Sequence, residues 1–331
     1  MELIFRNTRH YLQSIIDPGE FPASSLNLLG CPIIVRNLKI MERILKIDSV
    51  NVPNCASTIA TIIQTNFPEI NVKEYSDSRD SGENIKPLWD GCDKDNTTVH
   101  LESKDGKFEL PLNSLLYYNP KDIDGNLIGA KSIRYNNREI YFDTLVYPWE
   151  FLDAVRRIMA MEITDTVISS RASVAKSSII TGPCIIENEV TIDDFCKIVG
   201  PCYVGRGSSI GMGSLVRESM LGNNTRVGFN CEIGRTYLKG QDRVAHQNVI
   251  LDSLIGRNVW FGGCTSTTNN SLNRENITYQ IGDRLVDTGR SRFGAVVGNN
   301  CAVGASVKVS SGNEVQANTV IQAGTIRANN V

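Results

Sequence analysis

Aliphatic residues in the C-terminal half of the chain recur at every sixth position. The first uninterrupted series is Ile168, Val174, Ile180, Ile186, Ile192, Ile198, Val204, Ile210 and Val216. An amphipathic helix repeats about every 3.6 residues and a strand about every two, so neither produces this period. A solenoid with three short faces per coil does, because each face contributes one inward side chain. The sequence therefore predicts a left-handed parallel β-helix from about Ile168 to Thr325.

The series is interrupted twice in its second half. It loses one residue after Val216, resumes at Leu221 and continues as far as Ile321. The segment Tyr237–Leu251, which contains His246, does not follow the period, and a polar excursion separates Thr267 from Phe293. Loops that leave a rigid scaffold often carry function. We therefore predict functional side loops at both interruptions.

Glycine follows the aliphatic position at nine places in the repeat. These are Gly205, Gly211, Gly222, Gly228, Gly234, Gly256, Gly262, Gly298 and Gly304. Glycine adopts a positive φ at little cost, so we predict left-handed corner residues at these positions.

Five of the nine cysteines occupy a small position four residues after the aliphatic one. They are Cys184, Cys196, Cys202, Cys231 and Cys301. No C-x-x-C pair occurs in the chain, which disfavours a structural zinc site. We interpret the five as compact inward-facing hydrophobic residues.

The N-terminal half has a mixed α/β pattern. Predicted helices run from Pro32 through Ile47 and from Thr58 to Phe67, and a charged loop spans Asp77 to Asn96. Predicted strands lie at Val50–Val52, Ile70–Lys73, Thr98–Glu102 and Arg138–Val146. We expect an α/β domain over residues 1–148, a connector helix over 149–166 and the β-helix over 167–331.

Composition excludes several classes of function. A formal net charge of −2 disfavours a nucleic-acid partner, and the absence of an 18-residue apolar run disfavours a membrane span. The N-terminal residues lack a signal-peptide layout, so a cytoplasmic location is expected. His246 is the only histidine in the β-helix, whereas a zinc site of the β-helix carbonic anhydrase type needs three. No metal site is predicted.

Three stretches of the chain resemble a known family. Tyr147–Leu152 (YPWEFL) resembles the connector "YPWDLL" between two domains. Ala245–Asn269 (AHQN…DSLIGRNV…GGCTSTTN) resembles the acetyltransferase signature "HLNYVGDSIIGxNVNxGAGTxTxN", and Val286–Asn299 (VDTGRSRFGAVVGN) resembles "VDTGRRKFGAxIGD". These motifs are typical of sugar-1-phosphate nucleotidyltransferases with a hexapeptide β-helix. The chain is most similar to the archaeal and bacterial bifunctional enzymes, which carry an amino-sugar-1-phosphate acetyltransferase domain.

The resemblance implies a catalytic role for two residues and an acetyl-CoA site at three others. His246 would act as the general base on the sugar amine, and the backbone N–H of Gly263 would stabilise the oxyanion. Asn269 would border acetyl-CoA, whose arm would lie along Ala305 and Ala323.

A phosphate site and an assembly are also implied. Arg217, Arg290 and Arg292 would hold the sugar phosphate, and guanidinium groups suit that role. Sites of this family form between subunits, so a homotrimer is expected.

The chain departs from the family at several positions. Val249 stands in place of a substrate tyrosine, Trp260 in place of a sugar-contacting asparagine, Gly234 in place of a lysine and Cys264 in place of a glycine. The N-terminal half lacks the loop "GGxGTRLxP". We therefore expect a degenerate nucleotidyltransferase-like fold there that makes no nucleotide sugar.

Three functions follow as hypotheses. The first is an acetyl-CoA-dependent acetyltransferase acting on an amino-sugar 1-phosphate in nucleotide-sugar metabolism. The second is a non-catalytic or regulatory protein that binds sugar nucleotides, and the third is an active sugar-1-phosphate nucleotidyltransferase. From the residues alone, a structural loop histidine is favoured at His246 over a catalytic one, and Arg290 and Arg292 are equally compatible with solvated loop charges.

Overall fold

The chain forms two compact units that meet in sequence between Glu150 and Phe151. The computed structural model describes residues 27–42, 47–53, 57–75, 86–87, 98–103, 106–111, 114–117, 131–135, 138–145, 147–281 and 284–327. No helix in these ranges is long and apolar enough to cross a membrane.

The N-terminal unit is a mixed α/β fold. Its helices are α1 (Ile33–Glu42) and α2 (Ser57–Asn66). Its strands are β1 (Asn27–Leu28), β2 (Cys31–Pro32), β3 (Ile47–Pro53), β4 (Asn71–Tyr75), β5 (Lys86–Pro87), β6 (Thr98–Ser103), β7 (Gly106–Pro111), β8 (Ser114–Tyr117), β9 (Lys131–Tyr135) and β10 (Arg138–Thr144). One sheet has the order β4-β3-β6-β7-β5, with β3 parallel to β4 and antiparallel to β6. A second, antiparallel sheet has the order β8-β10-β9.

Two predictions for this unit need correction. The first helix ends at Glu42 rather than at Ile47, because Ile47 begins β3, which pairs with strands on both of its sides. Tertiary pairing of this kind overrides a local helical pattern. In the predicted loop Asp77–Asn96, Lys86–Pro87 instead forms strand β5; the rest of that loop lies outside the described residues.

The second unit contains a left-handed parallel β-helix of eight coils, in which each coil contributes one strand to each of three sheets. Sheet 1 contains Val167–Ile168, Cys184–Ile186, Cys202–Val204, Met220–Leu221, Tyr237–Gly240, Leu254–Arg257, Val296–Val297 and Glu314–Val315. Sheet 2 contains Ser173–Val174, Thr191–Ile192, Ser209–Ile210, Arg226–Val227, Arg243–Val244, Trp260–Phe261, Ala302–Val303 and Val320–Ile321. Sheet 3 contains Ile179–Thr181, Lys197–Val199, Leu215–Arg217, Glu232–Gly234, Val249–Leu251, Ser266–Thr267, Lys308–Val309 and Ile326–Arg327.

The core of the β-helix is the stack of inward side chains that the period of six predicted. From the second coil onward these aliphatic side chains are almost fully buried, as at Ile186, Ile192 and Ile198. All five cysteines at the small position are buried as well. The predicted β-helix is therefore confirmed.

The first predicted interruption is wrong, because Tyr237–Leu251 is a regular coil with one strand in each sheet. The corner between sheets 3 and 1 is one residue shorter in three coils. Five residues instead of six therefore separate the inward side chains at Val216–Leu221, Ile233–Leu238 and Ile250–Ile255. This repeated deletion shifts the phase without disturbing the stack.

The second predicted interruption is confirmed as an excursion from the corner between sheets 3 and 1. It contains an antiparallel hairpin of Thr278–Ile281 and Arg284–Asp287. Tyr279 is buried, its ring meets Phe293 edge-on, and its hydroxyl donates a hydrogen bond to Glu314 Oε2 at 2.8 Å. The excursion is thus anchored on the coil that follows it.

The recurring glycines do not adopt the positive φ that we predicted for them. Left-handed residues occur instead two positions later, as at Asn224 (φ 58°) and Asn230 (φ 53°). The glycines allow the coils to approach: a Cβ on Gly222 would lie 2.2 Å from the Lys239 carbonyl oxygen, and one on Gly262 would lie 2.5 Å from the Ala305 nitrogen. Close stacking, rather than backbone conformation, explains the repeat.

We predict that Gly222→Ala destabilises the β-helix by about 1–3 kcal/mol, the usual range for overpacking a well-filled site. The neighbouring coil's backbone has to move, because the atom that the methyl group would meet is the Lys239 carbonyl oxygen. Urea unfolding followed by circular dichroism measures the effect. Ser209→Ala, an outward change on sheet 2, is the control and should stay within about 0.5 kcal/mol. Equal midpoints for both variants would contradict the stacking explanation.

Helix α3 (Pro148–Glu162) leads into the β-helix. Phe151 contacts Tyr237 on the outer side of sheet 1, with ring centroids 5.1 Å apart in an edge-on geometry. Outward residues of that sheet are consequently buried, as at Tyr203, Tyr237 and Leu254. Chemistry on the β-helix is therefore to be sought on sheets 2 and 3 and at the corners.

Candidate functional site

Four predicted site residues lie in one column at the corner between sheets 2 and 3. Strand register pairs Val244 with Phe261, Phe261 with Val303 and Val303 with Ile321. The residues two positions after these four are His246, Gly263, Ala305 and Ala323. They therefore occupy consecutive coils, about 4.8 Å apart per step. We call the column Met212, Phe229, His246, Gly263, Ala305 and Ala323 the histidine corner.

The backbone beneath the His246 imidazole is fixed, and the side chain itself is exposed. The His246 carbonyl accepts hydrogen bonds from Cys264 N at 3.0 Å and from Asn248 Nδ2 at 3.2 Å. Asn248 is fully buried, and its Oδ1 accepts a hydrogen bond from Thr265 N at 2.9 Å. The inward asparagine thus ties the His246 coil to the next one.

Side-chain size changes along the histidine corner. Met212 and Phe229, on the preceding coils, are each 45% exposed and bulky. Gly263 follows on the next coil, where a Cβ would lie 3.5 Å from the His246 carbonyl oxygen. Within the described residues its N–H takes part in no hydrogen bond. An extended ligand can therefore lie against Gly263, Ala305 and Ala323.

Sheet 2 carries an exposed aromatic and two exposed arginines beside this corner. Strand register places Arg226, Arg243 and Trp260 next to one another on consecutive coils, all facing outward. Trp260 is 52% exposed, and Ala302 is its neighbour on the following coil. We call Arg226, Arg243 and Trp260 the tryptophan face.

On the other side of the histidine corner, the outward positions of sheet 3 include Val249 and Lys308. Val249 is exposed, and Lys308 Nζ donates a hydrogen bond to the Cys264 carbonyl at 3.2 Å. The Cys264 thiol is exposed and contacts Gln247 Oε1 at 3.4 Å.

A second column lies at the corner between sheets 3 and 1. It consists of Glu218, Arg235, Asp252 and Asn269 on consecutive coils, and we call it the arginine corner. Asp252 accepts hydrogen bonds from Arg235 Nε at 2.8 Å and Nη2 at 2.6 Å and from Asn269 Nδ2 at 2.6 Å. Arg156, from helix α3, adds a further ion pair at 2.5 Å.

These contacts set the ionisation of the Asp252 carboxyl, which is only 1% exposed. Burial by itself would raise the pKa of Asp252. Hydrogen bonds from Arg235 and Asn269, with the charge of Arg156, outweigh burial and hold that pKa below its ordinary value. Asp252 is therefore a charged structural centre.

The three predicted phosphate-binding arginines lie away from the histidine corner. Arg217 pairs with Glu232 at 2.7 Å on sheet 3. Arg290, in the excursion, pairs with Asp153 of helix α3. Arg292 is exposed at the base of the excursion, where its backbone bridges to Asn270. The side chain of Asn269 is buried and committed to Asp252.

Part of the sequence matches known proteins. The family model described as "Bacterial transferase hexapeptide (six repeats)" matches residues 183–218. Those residues form consecutive coils of the parallel β-helix. The C-terminal half is a hexapeptide-repeat β-helix.

Curated proteins match part of this chain in sequence. The "Bifunctional protein GlmU" of Methanococcus aeolicus is 29% identical over 202 residues, which is 61% of this chain and 47% of that protein. The "Bifunctional sugar-1-phosphate nucleotidylyltransferase/acetyltransferase" of Sulfurisphaera tokodaii is 25% identical over 57% of this chain and 46% of its own length. The matched region thus spans less than half of each relative.

Among solved structures, the acetyltransferase domain of PglB from Neisseria gonorrhoeae FA1090 is similar to this chain at 12% identity. The match covers 52% of this chain and 63% of that domain. Its TM-score of 0.24 is too low to support an inference about chemistry.

The hexapeptide β-helix thus brings together His246, Gly263, Ala305 and Ala323, but not the predicted arginines or Asn269. Among the residues that the structure describes, no group of three or more His, Cys, Asp and Glu side chains could hold a metal ion.

Two features were missed at the sequence level. Arg226 and Arg243 each precede an inward aliphatic residue and are spaced 17 residues apart, like Arg243 and Trp260. When Tyr237–Leu251 is taken as a regular coil, this spacing places Arg226, Arg243 and Trp260 on one face of the β-helix. The Arg156–Asp252 pair joins residues 96 positions apart, and no local pattern signals it.

Proposed function

We propose that the hexapeptide β-helix is an acetyl-CoA-dependent acetyltransferase that acts on the amino group of a sugar phosphate. The observation that carries the proposal is the histidine corner, where His246 is directly followed by Gly263 and by two alanines. The similarity to the Sulfurisphaera tokodaii protein supports it, because that relative is a bifunctional sugar-1-phosphate nucleotidylyltransferase/acetyltransferase.

The proposed chemistry is direct transfer. The sugar amine attacks the thioester carbonyl, and the His246 imidazole accepts the proton that the nitrogen loses. A C–N bond forms, the C–S bond breaks, and the departing CoA thiolate takes up that proton. The products are the acetamido sugar and free CoA.

Gly263 supplies the second element of the site. Its backbone N–H is one coil from His246 and can donate to the oxygen that becomes negative in the tetrahedral intermediate. Ala305 and Ala323 continue the column, and their small side chains leave a path for the acetyl-CoA arm. Asn269 is proposed to contribute through the loop that it anchors, because its amide is bonded to Asp252.

The phosphate subsite is proposed to come from a neighbouring copy of the chain. Arg290 and Arg292 extend from the corner between sheets 3 and 1, whereas His246 lies at the corner between sheets 2 and 3. A homotrimer would place the excursion of one protomer against the histidine corner of the next. Arg217 lies on sheet 3 and pairs with Glu232. It would therefore contact the phosphate only from that sheet.

The full-length chain with acetyl-CoA and a panel of amino-sugar phosphates provides the test. Release of CoA thiol and formation of an acetylated sugar, detected by mass spectrometry, are expected. Acetyl-CoA without acceptor gives the hydrolysis background. If no amino sugar in free, phosphorylated or nucleotide-linked form raises thiol release above that background, the proposal is overturned.

We predict that two inactive variants restore activity when they are combined. In each mixed trimer of protomers carrying His246→Ala and protomers carrying Arg292→Ala, about one third of the interfaces are intact. Each such interface takes His246 from one protomer and Arg292 from the other. Co-expression with two affinity tags isolates the mixed species for assay, and each variant alone is the control. Mixed trimers as inactive as the parents would place both residues in the same protomer's site.

A further inference from the structure

The tryptophan face has an unusual electrostatic composition for an exposed β-sheet. Arg226 and Arg243 are adjacent on the ladder, about 4.8 Å apart. Neither forms an ion pair or a side-chain hydrogen bond within the described part of the chain. Like charges directly beside each other destabilise a sheet. An anion bound between them would relieve this repulsion.

Other arginines of the same β-helix are neutralised locally. Arg217 pairs with Glu232, Arg235 with Asp252 and Arg206 with Glu189. The two arginines of the tryptophan face therefore differ from these in having a positive potential left for a ligand.

Trp260 adds a flat apolar surface next to these charges. It is 52% exposed, lies beside Arg243 and has only the methyl group of Ala302 on its other side. Exposed aromatic rings stack on nucleobases of any type. Guanidinium groups bind phosphates through two parallel hydrogen bonds. Aromatic and cationic groups at this spacing match a base and its attached diphosphate.

The face also lies at the right distance from the proposed chemistry. Arg243 precedes His246 by three residues on the same coil, and Trp260 precedes Gly263 by three residues on the next. Three residues span at most about 10 Å, and less where the chain turns at the corner. A sugar attached to a diphosphate on Arg243 could thus reach the imidazole.

We infer that the tryptophan face binds the nucleoside diphosphate part of a nucleotide-linked amino sugar, which makes that compound the acetyl acceptor. The inference rests on the proposed function, because it specifies the acceptor of the same site. CoA also contains a nucleotide with a diphosphate. We assign the face to the acceptor because Ala305 and Ala323 already provide a separate path for the CoA arm.

Calorimetric titration of the full-length chain with uridine diphosphate, guanosine diphosphate and CoA tests the assignment. Trp260→Ala and Arg243→Ala are each expected to weaken nucleoside diphosphate binding about 10-fold or more, with CoA binding unchanged. Trp260→Phe should retain most of the affinity, since a ring remains for stacking. Arg171→Ala removes an exposed arginine far from the face and serves as the matched control.

Three results would overturn the inference. The first is nucleoside diphosphate binding that is no tighter in the wild type than in the two variants. The second is a parallel loss of CoA affinity, which would assign the face to the donor. The third is a change in the sedimentation of the protein in these variants, which would assign the face to a subunit interface.

The acetylation assay separates this inference from the proposed function. One outcome is that the protein acetylates an amino-sugar 1-phosphate and that Trp260→Ala leaves the KM of a nucleotide-linked amino sugar unchanged. This outcome would overturn only the inference about the tryptophan face. Binding of nucleoside diphosphates through Trp260 without acetylation of any acceptor would remove the proposed function and leave the binding site.

Discussion

Replacing His246 with alanine is expected to lower the rate of acetyl transfer by about 10²- to 10⁴-fold, the usual contribution of a general base. The amine nitrogen must lose a proton as it attacks the thioester, and the variant has no imidazole to accept it. The fold should be unaffected, because the side chain is exposed and the fixed elements at this position are its backbone carbonyl and Asn248.

Single-turnover kinetics with a saturating acceptor measure this loss directly. Met212→Ala, which shortens an exposed side chain two coils earlier in the same column, is the matched control and should retain the wild-type rate. Added imidazole should restore part of the rate of His246→Ala by entering the vacated space. Equal rates for wild type and His246→Ala would remove the histidine corner as the catalytic site.

Replacing Asp252 with alanine is expected to destabilise the β-helix by about 3–5 kcal/mol. The carboxylate is 1% exposed and neutralises Arg235 and Arg156 while accepting a hydrogen bond from Asn269. Its loss removes the carboxylate that pairs with Arg235, leaves Arg156 with only its longer contact to Asp153 and its bond to the Arg235 carbonyl, and releases Asn269, the residue from which the excursion begins.

Glu232→Ala is the matched control for this variant. Glu232 also pairs with an arginine, because its Oε1 accepts hydrogen bonds from Arg217 Nε and Nη2, but the two side chains are 33% and 24% exposed. Ion pairs of this exposure contribute about 0–1 kcal/mol. Urea midpoints followed by circular dichroism should therefore separate the two variants clearly. Similar midpoints would show that burial of Asp252 does not determine the strength of the network.

The lowered pKa of Asp252 also determines how stability depends on pH. Because the folded carboxyl has the lower pKa, its contribution is complete above the unfolded value of about 3.9 and is lost as the pH falls through the folded value. The wild-type midpoint should drop over that acid range. Asp252→Asn cannot ionise at this position. Its urea midpoint should be lower than that of the wild type at neutral pH and should change less as the pH falls.

The sequence was most informative where one physical requirement repeats. Inward positions such as Ile198 and Val204 are aliphatic on nearly every coil, so the period of six predicted the architecture directly. The same reasoning failed at Tyr237–Leu251, because a shortened corner shifts the phase and makes a regular coil look like an interruption. Glycine recurrence was recognised, but its cause was not, since close approach and positive φ favour the same residue.

The candidate site was only partly predictable. His246 and Gly263 were identified from their resemblance to a signature, and their adjacency follows from the coil length. The pairing of Arg290 with Asp153 and the burial of Asn269 against Asp252 were not predictable. The first contact depends on helix α3 meeting the excursion, which no local pattern encodes. The second joins neighbouring coils, but the orientation of the Asn269 amide becomes evident only from the network that also contains Arg235 and Arg156.

By itself, the sequence determined the hexapeptide β-helix, its inward core and the identity of the exposed histidine. The tertiary structure alone decided which of the arginines are neutralised and which remain open, and that Trp260 lies beside Arg243 on an uncovered face. The physical reason is that burial of inward side chains repeats on every coil, and this repetition produces the six-residue period of aliphatic residues in the sequence. The charge environment of an outward side chain depends on neighbours one coil away or on a distant helix.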